Sequence, residues 1–406
     1  MDKRIVVTGL GAVTPLGVDL ATSWEALLAG RDADAPLELF DTAGYRCHRA
    51  ASATLPPLPD VSGKTLSRLS RASRLAIPAA RAALAQAGLL DTAGKSTCPV
   101  IPLSVSTTAG GMTFGETFLR NVLTGNRTDL LSQVSRYLPH QQVLDLQQTI
   151  GFAGPSVILA NACASGANAI GHAADLISVG DADYVLTGGF EALTELVFGG
   201  FDCLQATSVD RCRPFDLHRS GLLLGEAAAF LVLESEEHAL RRGAKPICEL
   251  SGYGHTTDFF HLTQPQPDGN ALVEAMQRAT TQARISPAQI GYINAHGTAT
   301  PVNDGTEAKA YVSFLGNSLG QTRISSTKAA IGHTLGAAGA IEALFAIQAL
   351  STGHLPPQIN LQTPIPEIAH ALAEAGETCS HLRHVMSVNL GFGGSNAALV
   401  FSSYEN

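Results

Sequence analysis

The sequence predicts an α/β fold, on three observations. Short apolar runs of strand length alternate with Ala-rich runs of helical length from one end of the chain to the other. Strands separated by helices imply parallel sheets covered on both faces. Hydrophobic residues make up 45% of the 406 and charged residues 15%, which fits a large interior and excludes a disordered or fibrous chain.

In chain order, "RIVVTGL" at residues 4–10 reads as the first strand. Thr8 and Thr14 break its apolar run and Pro15 stops it, so a strand entering a Gly-rich turn fits better than a signal peptide. "LSRLSRASRLAIPAARAALAQAGLL" at 66–90 is helical, with a kink expected at Pro78. "PSVILA" at 155–160 is a strand that runs into the helix "SGANAIGHAADLISVG", closed by Gly180. "DYVLTGG" at 183–189 is a strand, and "GLLLGEAAAFLVLES" at 221–235 is one strand or two. "ALVEAMQRATTQARI" at 271–285 is a helix, "IGYINAHG" at 290–297 a strand and turn, "AGAIEALFAIQALSTG" at 338–353 a helix, and "AALVFSS" at 397–403 a closing strand. "RIVVTGLGAVTP" is echoed by "PICELSGYGHTTD" at 246–258; two strings leave duplication and coincidence equally open. The Pro-rich stretches "LPPLPD", "TQPQPDG" and "LPPQINLQTPIP" read as surface connections, not domain linkers.

Composition also narrows function. A net charge of −9 argues against a broad nucleic-acid surface, so any basic docking site is a local patch. The seven cysteines are odd in number and form no CxxC pair, which argues against a disulfide framework or zinc ribbon and for reduced thiols in the cytoplasm. No run approaches the roughly 20 uninterrupted apolar residues of a membrane span; the longest candidate, "GLLLGEAAAFLVLE", contains Glu226.

One cysteine differs from the rest in its setting. The run "SVILA" delivers Cys163 to a turn of small residues (Ala162, Ala164, Ser165, Gly166) at the start of a helix. Small neighbours permit a strained turn and close approach of a ligand. A helix N-terminus lowers a thiol's pKa, and its free N–H groups suit an oxyanion. The alternative is a buried, inert cysteine, the ordinary state of the other six. Two histidines occupy similar small-residue turns: His296 in "YINAHGTAT", and His333 in "SSTKAAIGHTLGAAG" with Lys328 five residues earlier.

With these turns in hand, six strings keep one order along the chain: "VVTGLGAVTPLG", "NACASG", "RPFDLHRSG", "NAHGTATPVND", "STKAAIGHTLGAAG" and "GFGGSNAALVF". Over essentially its whole length the sequence resembles the β-ketoacyl-[acyl-carrier-protein] synthases, condensing enzymes of the thiolase-like superfamily. The resemblance implies a five-layered αβαβα fold of two similar halves, 1–245 with the nucleophilic cysteine and 246–406 with the catalytic histidines. It implies that Cys163 takes an acyl group from carrier-protein phosphopantetheine. His296 and His333 would donate hydrogen bonds to the enolate formed as a malonyl unit loses carbon dioxide, and that carbanion would attack the acyl-Cys163 thioester. On this division His333→Ala abolishes decarboxylation and spares acylation.

Other roles follow position by position. Lys328 matches the lysine supporting the histidine pair. Glu307 matches an acid organising the site and is placed with the substrate-binding residues, though for both a buried structural ion pair is the alternative. Phe392 matches a gatekeeping ring whose backbone N–H completes the oxyanion hole. Thr298 and Thr300 match threonines on the pantetheine arm, Asp258 and Thr263 belong to a second mobile loop, and Phe201 would line the acyl pocket or serve as ordinary core. Arg68, Arg71 and Arg74, at i, i+3 and i+6, would form one stripe on a helix for an acidic acyl carrier protein, the alternative being a solvated face.

Departures from the family pattern are Ser220-Gly221 for the usual Asp-Gly, "EAAAF" after Gly225, and Val388-Asn389-Leu390 for Asn-Ser-Phe. The last puts in doubt a monovalent cation site that some members build there. No metal and no bound cofactor are expected, and a specialised polyene or polyketide-type ketosynthase competes with a fatty-acid one. A dimer is implied, with a second copy or with a chain-length-factor-like subunit. A non-catalytic partner subunit typically lacks the active cysteine, which Cys163 argues against. A degradative thiolase carries a second cysteine where this chain reads "GFGGSN".

Overall fold

Strands Ile5–Val13 (β1) and Ala227–Ser235 (β7) are buried at every position, as strands covered on both faces must be. The computed structural model describes residues 3–126 and 130–405. Its other strands are Ala35–Pro36 (β2), Arg49–Ala50 (β3), Leu103–Ser106 (β4), Ser156–Leu159 (β5), Tyr184–Glu191 (β6), Cys248–Thr257 (β8), Tyr292–Asn294 (β9), Arg323–Ser325 (β10), His384–Gly391 (β11) and Ser395–Ser403 (β12). β2 and β3 make a small ribbon; the other ten form one sheet in the order β10-β9-β11-β12-β8-β1-β7-β6-β4-β5.

Parallel pairing is confined to the outer strands, so each half-sheet is mixed, where strand-helix alternation alone implied parallel sheets. β6-β4-β5 and β11-β9-β10 are parallel, while β7 is antiparallel to β1 and β6, and β12 is antiparallel to β8 and β11. The halves are joined edge to edge where β1 meets β8, at Val6↔Glu249 and Val7↔Cys248.

Read outward from that seam, β1-β7-β6-β4-β5 and β8-β12-β11-β9-β10 repeat the same order and directions. The repeat extends to atoms. A Cβ added to Gly9 or Gly11 would lie 2.0 or 2.1 Å from the carbonyl oxygen of Ala83 or Ala79 on the helix Arg71–Gln86. Gly252 and Gly254 meet Ala279 and Ala275 of the helix Asn270–Gln282 in the same way, at 2.1 Å each. Gln86 accepts from Leu10 N–H and Gln282 from Tyr253 N–H, both at 2.7 Å. The sequence echo is therefore a structural duplication. Only glycine lets helix backbone approach strand backbone so closely.

Five layers result. The helices Ser165–Val179 and Ala338–Thr352 form the middle one, buried among Leu231 and Leu233 of one half and Leu399 and Phe401 of the other. The opposite faces of the half-sheets are covered by Arg71–Gln86 and by Asn270–Gln282. Pro78 lies inside Arg71–Gln86 and the helix continues through it. The stretch Leu335–Thr352 is the one helical segment among the described residues apolar and long enough to cross a membrane; it is 83% buried in the protein and carries the buried Glu342.

Candidate active site

Cys163 follows β5 at the point where the middle layer begins. Ala162 takes φ +60°, an uncommon conformation for a residue with a Cβ, and turns the chain into the helix Ser165–Val179. His296 leaves β9 two residues after Asn294. His333 lies between the short helix Lys328–Ile331 and the long helix Ala338–Thr352. Backbone bonds to Leu223 and Gly225, at 2.6 and 3.0 Å, fix His333. Three segments remote in sequence thus place one donor atom each from Cys163, His296 and His333 within 4.8 Å of one another.

Hydrogen bonds set the tautomers. Nδ1 of His333 accepts from Leu335 N–H at 3.3 Å, so its Nε2 carries the proton and lies 2.9 Å from Cys163 Sγ. Nδ1 of His296 faces Lys328 Nζ at 3.3 Å, which likewise leaves Nε2–H as the donor. The two rings stand edge to face, 5.4 Å between centroids. Burial first, then the Lys328 charge, holds both imidazoles well below the usual 6.5. Neutral imidazoles with aimed N–H groups stabilise a developing oxyanion without taking a proton.

These depressed values carry a stability signature. The unfolded chain binds two protons below pH 6.5 that the folded chain does not. The contribution is therefore full above pH 6.5 and falls as pH drops. Each histidine should cost about 1 kcal/mol between pH 6.5 and 5.5. Urea unfolding at both pH values should show a smaller loss in the His296→Asn/His333→Asn variant than in the wild type.

Burial pushes the Cys163 thiol up to about 12, against the pull of Lys328 and of the backbone N–H groups of Phe392 and Cys163. Removal from water thus opposes the ionisation that a helix terminus favours. Those two N–H groups nonetheless face the sulfur from separate segments, the arrangement an oxyanion hole needs.

Behind His296 lies a buried polar chain. Lys328 Nζ donates to His296 O at 2.6 Å and pairs with Glu342, each side chain 1% exposed. The other Glu342 oxygen accepts from Asn389 Nδ2 at 2.6 Å. Sequence reading missed Glu342, whose signal was a single carboxylate in the apolar helix "AGAIEALFAIQ", and saw Asn389 only as part of the altered triplet. Glu307 is fully buried and touches no open space, which corrects its place among substrate contacts. It accepts from the N–H groups of His296 and Gly297 at 2.7 and 2.8 Å and from Tyr311 Oη at 2.5 Å, and so holds the His296 turn. Burial, with Asp304 beside it, pushes its carboxyl up to about 7.

A cavity of about 230 Å³ opens on Cys163, and Phe201, Asp258, Thr263, Thr298, Thr300 and Phe392 all line it. The Phe201 and Phe392 rings stack 5.7 Å apart at its wall. The Thr298 and Thr300 hydroxyls are 2.9 Å apart. Gly393 N–H donates to Leu262 O at 2.8 Å, which ties the Phe392 loop to the loop bearing Asp258 and Thr263.

The arginine stripe does not exist as expected. Arg68 is exposed but precedes the helix, whose N-cap is Ser70. Arg71 donates to Glu226 from Nε at 2.8 Å and to Ala53 O at 2.7 Å, and Glu226 is wholly buried. Arg71 is thus an internal partner, not a docking residue. Arg71→Ala should lower stability by about 3–5 kcal/mol, because it strands a buried carboxylate. Arg68→Ala should leave the urea midpoint unchanged. Arg74 is half-buried and its Nε has no partner.

A family model described as "Beta-ketoacyl synthase, N-terminal domain" matches residues 2–239, and "Beta-ketoacyl synthase, C-terminal domain" matches 247–362. The chain is 36% identical over 412 residues to a 3-oxoacyl-[acyl-carrier-protein] synthase 2 of Staphylococcus aureus (strain COL), covering 100% of this chain and 99% of that one. Among solved structures, the ishigamide ketosynthase/chain length factor superposes with a TM-score of 0.90 at 30% identity, covering all of both chains. A type II PKS ketosynthase in complex with its acyl-carrier protein, AntDE:AntF, superposes with a TM-score of 0.88 at 28% identity, again over all of both chains.

Proposed function

The chain belongs to the β-ketoacyl synthase family, and from that premise we propose that it joins an acyl group held on Cys163 to a malonyl unit carried on acyl carrier protein. The observation that carries this is the convergence of Cys163 Sγ with two neutral imidazoles. In the first step Sγ attacks the acyl thioester and the carrier thiol leaves. The Cys163 proton ends on that leaving sulfur. The N–H groups of Cys163 and Phe392 receive the carbonyl oxygen as it gains charge. In the second step a malonyl thioester loses carbon dioxide, and its electron pair delocalises onto the thioester oxygen. The Nε2–H groups of His296 and His333 hold that oxygen. The α-carbon then attacks acyl-Cys163, a carbon–carbon bond forms, and Cys163 leaves as a thiolate that takes up one proton. Decarboxylation supplies the carbanion, so no strong base is required.

Thr298 and Thr300, on the cavity wall, suit the pantetheine arm, and Phe201 with Phe392 closes the acyl end. Substrates arrive on phosphopantetheine, and no resident cofactor is required. Arg68 and Arg74 remain as candidate carrier contacts. The assembly is a dimer, with a second copy or with a chain-length-factor-like subunit, as the ishigamide neighbour is described. All seven cysteines are free, which supports work in the cytoplasm.

A ketosynthase subunit of a type II polyketide system is the second reading, favoured by the type II PKS ketosynthase and the ketosynthase/chain length factor among the structural neighbours. Incubation with acyl- and malonyl-carrier thioesters should release carbon dioxide and give a β-ketoacyl-carrier product. No product with any donor, alone or with a co-expressed partner subunit, overturns the proposal. Product only with the partner selects the second reading.

A further inference from the structure

We propose that Asn389 is a positioning residue for decarboxylation: its amide fixes the Glu342–Lys328–His296 chain where some family members use a monovalent cation, so this protein works without one. The inference rests on the function proposed above. Glu342 has two oxygens, and each already faces an N–H donor, one from Lys328 and one from Asn389 Nδ2 at 2.6 Å. A hard cation needs oxygen lone pairs around it, and an amide NH₂ in that place repels it. Lys328 and Glu342 already neutralise one another at 1% exposure, so an added cation would leave a net buried charge. Val388, the neighbouring position of the altered triplet, packs in the apolar cluster with Met386 and Leu390 and offers no oxygen from its side chain.

The placement of Asn389 matters as much as its chemistry. It is fully buried on β11, two residues before that strand ends at Gly391 and three before Phe392. One amide therefore ties the strand leading to the gate ring to the carboxylate that holds Lys328. Lys328 in turn holds both the backbone and Nδ1 of His296. Asn389 does not line the cavity, so its effect reaches the reaction through the groups it positions, Lys328 and His296 first among them. The opposing arrangement is definite. Asn389 Oδ1, Asn294 Oδ1 and Ser387 Oγ are buried without partners, with Ser387 and Asn294 paired across β11 and β9, and a half-turn of the Asn389 amide would offer its oxygen with theirs to a cation beside Glu342.

The test uses full-length protein and single-turnover decarboxylation of malonyl-carrier thioester, in sodium, potassium or tetramethylammonium buffers of equal ionic strength. The wild type should decarboxylate at the same rate, within about twofold, in all three. Asn389→Ala should slow decarboxylation about tenfold while acylation of Cys163 stays within about twofold. The Val388→Asn/Asn389→Ser variant should recover rate with sodium or potassium but not with tetramethylammonium. A wild type that needs sodium or potassium overturns the inference and leaves the proposed function standing; this arm needs no variant to fold. Asn389→Ala that keeps the full decarboxylation rate, or loses acylation equally, also overturns it. No decarboxylation in any buffer overturns the proposed function and this inference with it.

Discussion

His296→Ala should lower malonyl decarboxylation by about 10²–10³-fold and leave acylation of Cys163 within about threefold. His296 presents one of the two neutral Nε2–H groups aimed at the enolate oxygen, and the loss of one such donor carries that cost. It touches Lys328 and Glu307 through its Nδ1 and backbone, whereas the contact with Cys163 Sγ is made by His333. The sequence assigned the clean separation of steps to His333→Ala. With His333 Nε2 at 2.9 Å from the sulfur, that variant should lose acylation as well as decarboxylation. Carbon dioxide release and acyl-adduct formation, measured separately on both variants, decide the assignment. Equal loss of the two steps in His296→Ala would contradict it.

Cys163→Ala should abolish condensation, a loss on the order of 10⁴-fold or more, while malonyl decarboxylation persists. The enolate donors are imidazoles, and neither is positioned by the sulfur. His333 is held by its backbone bonds to Leu223 and Gly225 and by Leu335 N–H, and His296 by Glu307 and Lys328. The removed thiol is buried, so an alanine there leaves only a small space. The pair of variants thus forms a double dissociation. A Cys163→Ala protein that still makes β-ketoacyl product would show that the carbanion attacks the carrier-bound acyl thioester directly.

The three catalytic turns were legible because each combines an apolar run with small residues and one reactive side chain, a pattern that ordinary core does not need. The duplication was half legible. Gly9-Leu10-Gly11 and Gly252-Tyr253-Gly254 share a spacing, but only the strand order and the matched Gln86 and Gln282 contacts distinguish repeat from coincidence. The polar chain behind His296 was hidden for a physical reason. Its members come from three separate elements, and no local pattern shows that Lys328, Glu342 and Asn389 meet. The arginine stripe failed because even spacing assumed one helix from residue 66. Ser70 caps the helix later, and buried Glu226 draws Arg71 inward. The burial of Cys163 was hidden in the same way, since a sequence shows the helix start but not the depth of burial.

The most direct measurement is intact-protein and peptide mass spectrometry after incubation with a panel of acyl-carrier thioesters. The expected result is a single acyl adduct on the peptide carrying Cys163, absent from Cys163→Ala and discharged when malonyl-carrier thioester is added. An adduct on another of the seven cysteines, or one on Cys163 that malonyl-carrier thioester does not discharge, would contradict a condensing centre at this site.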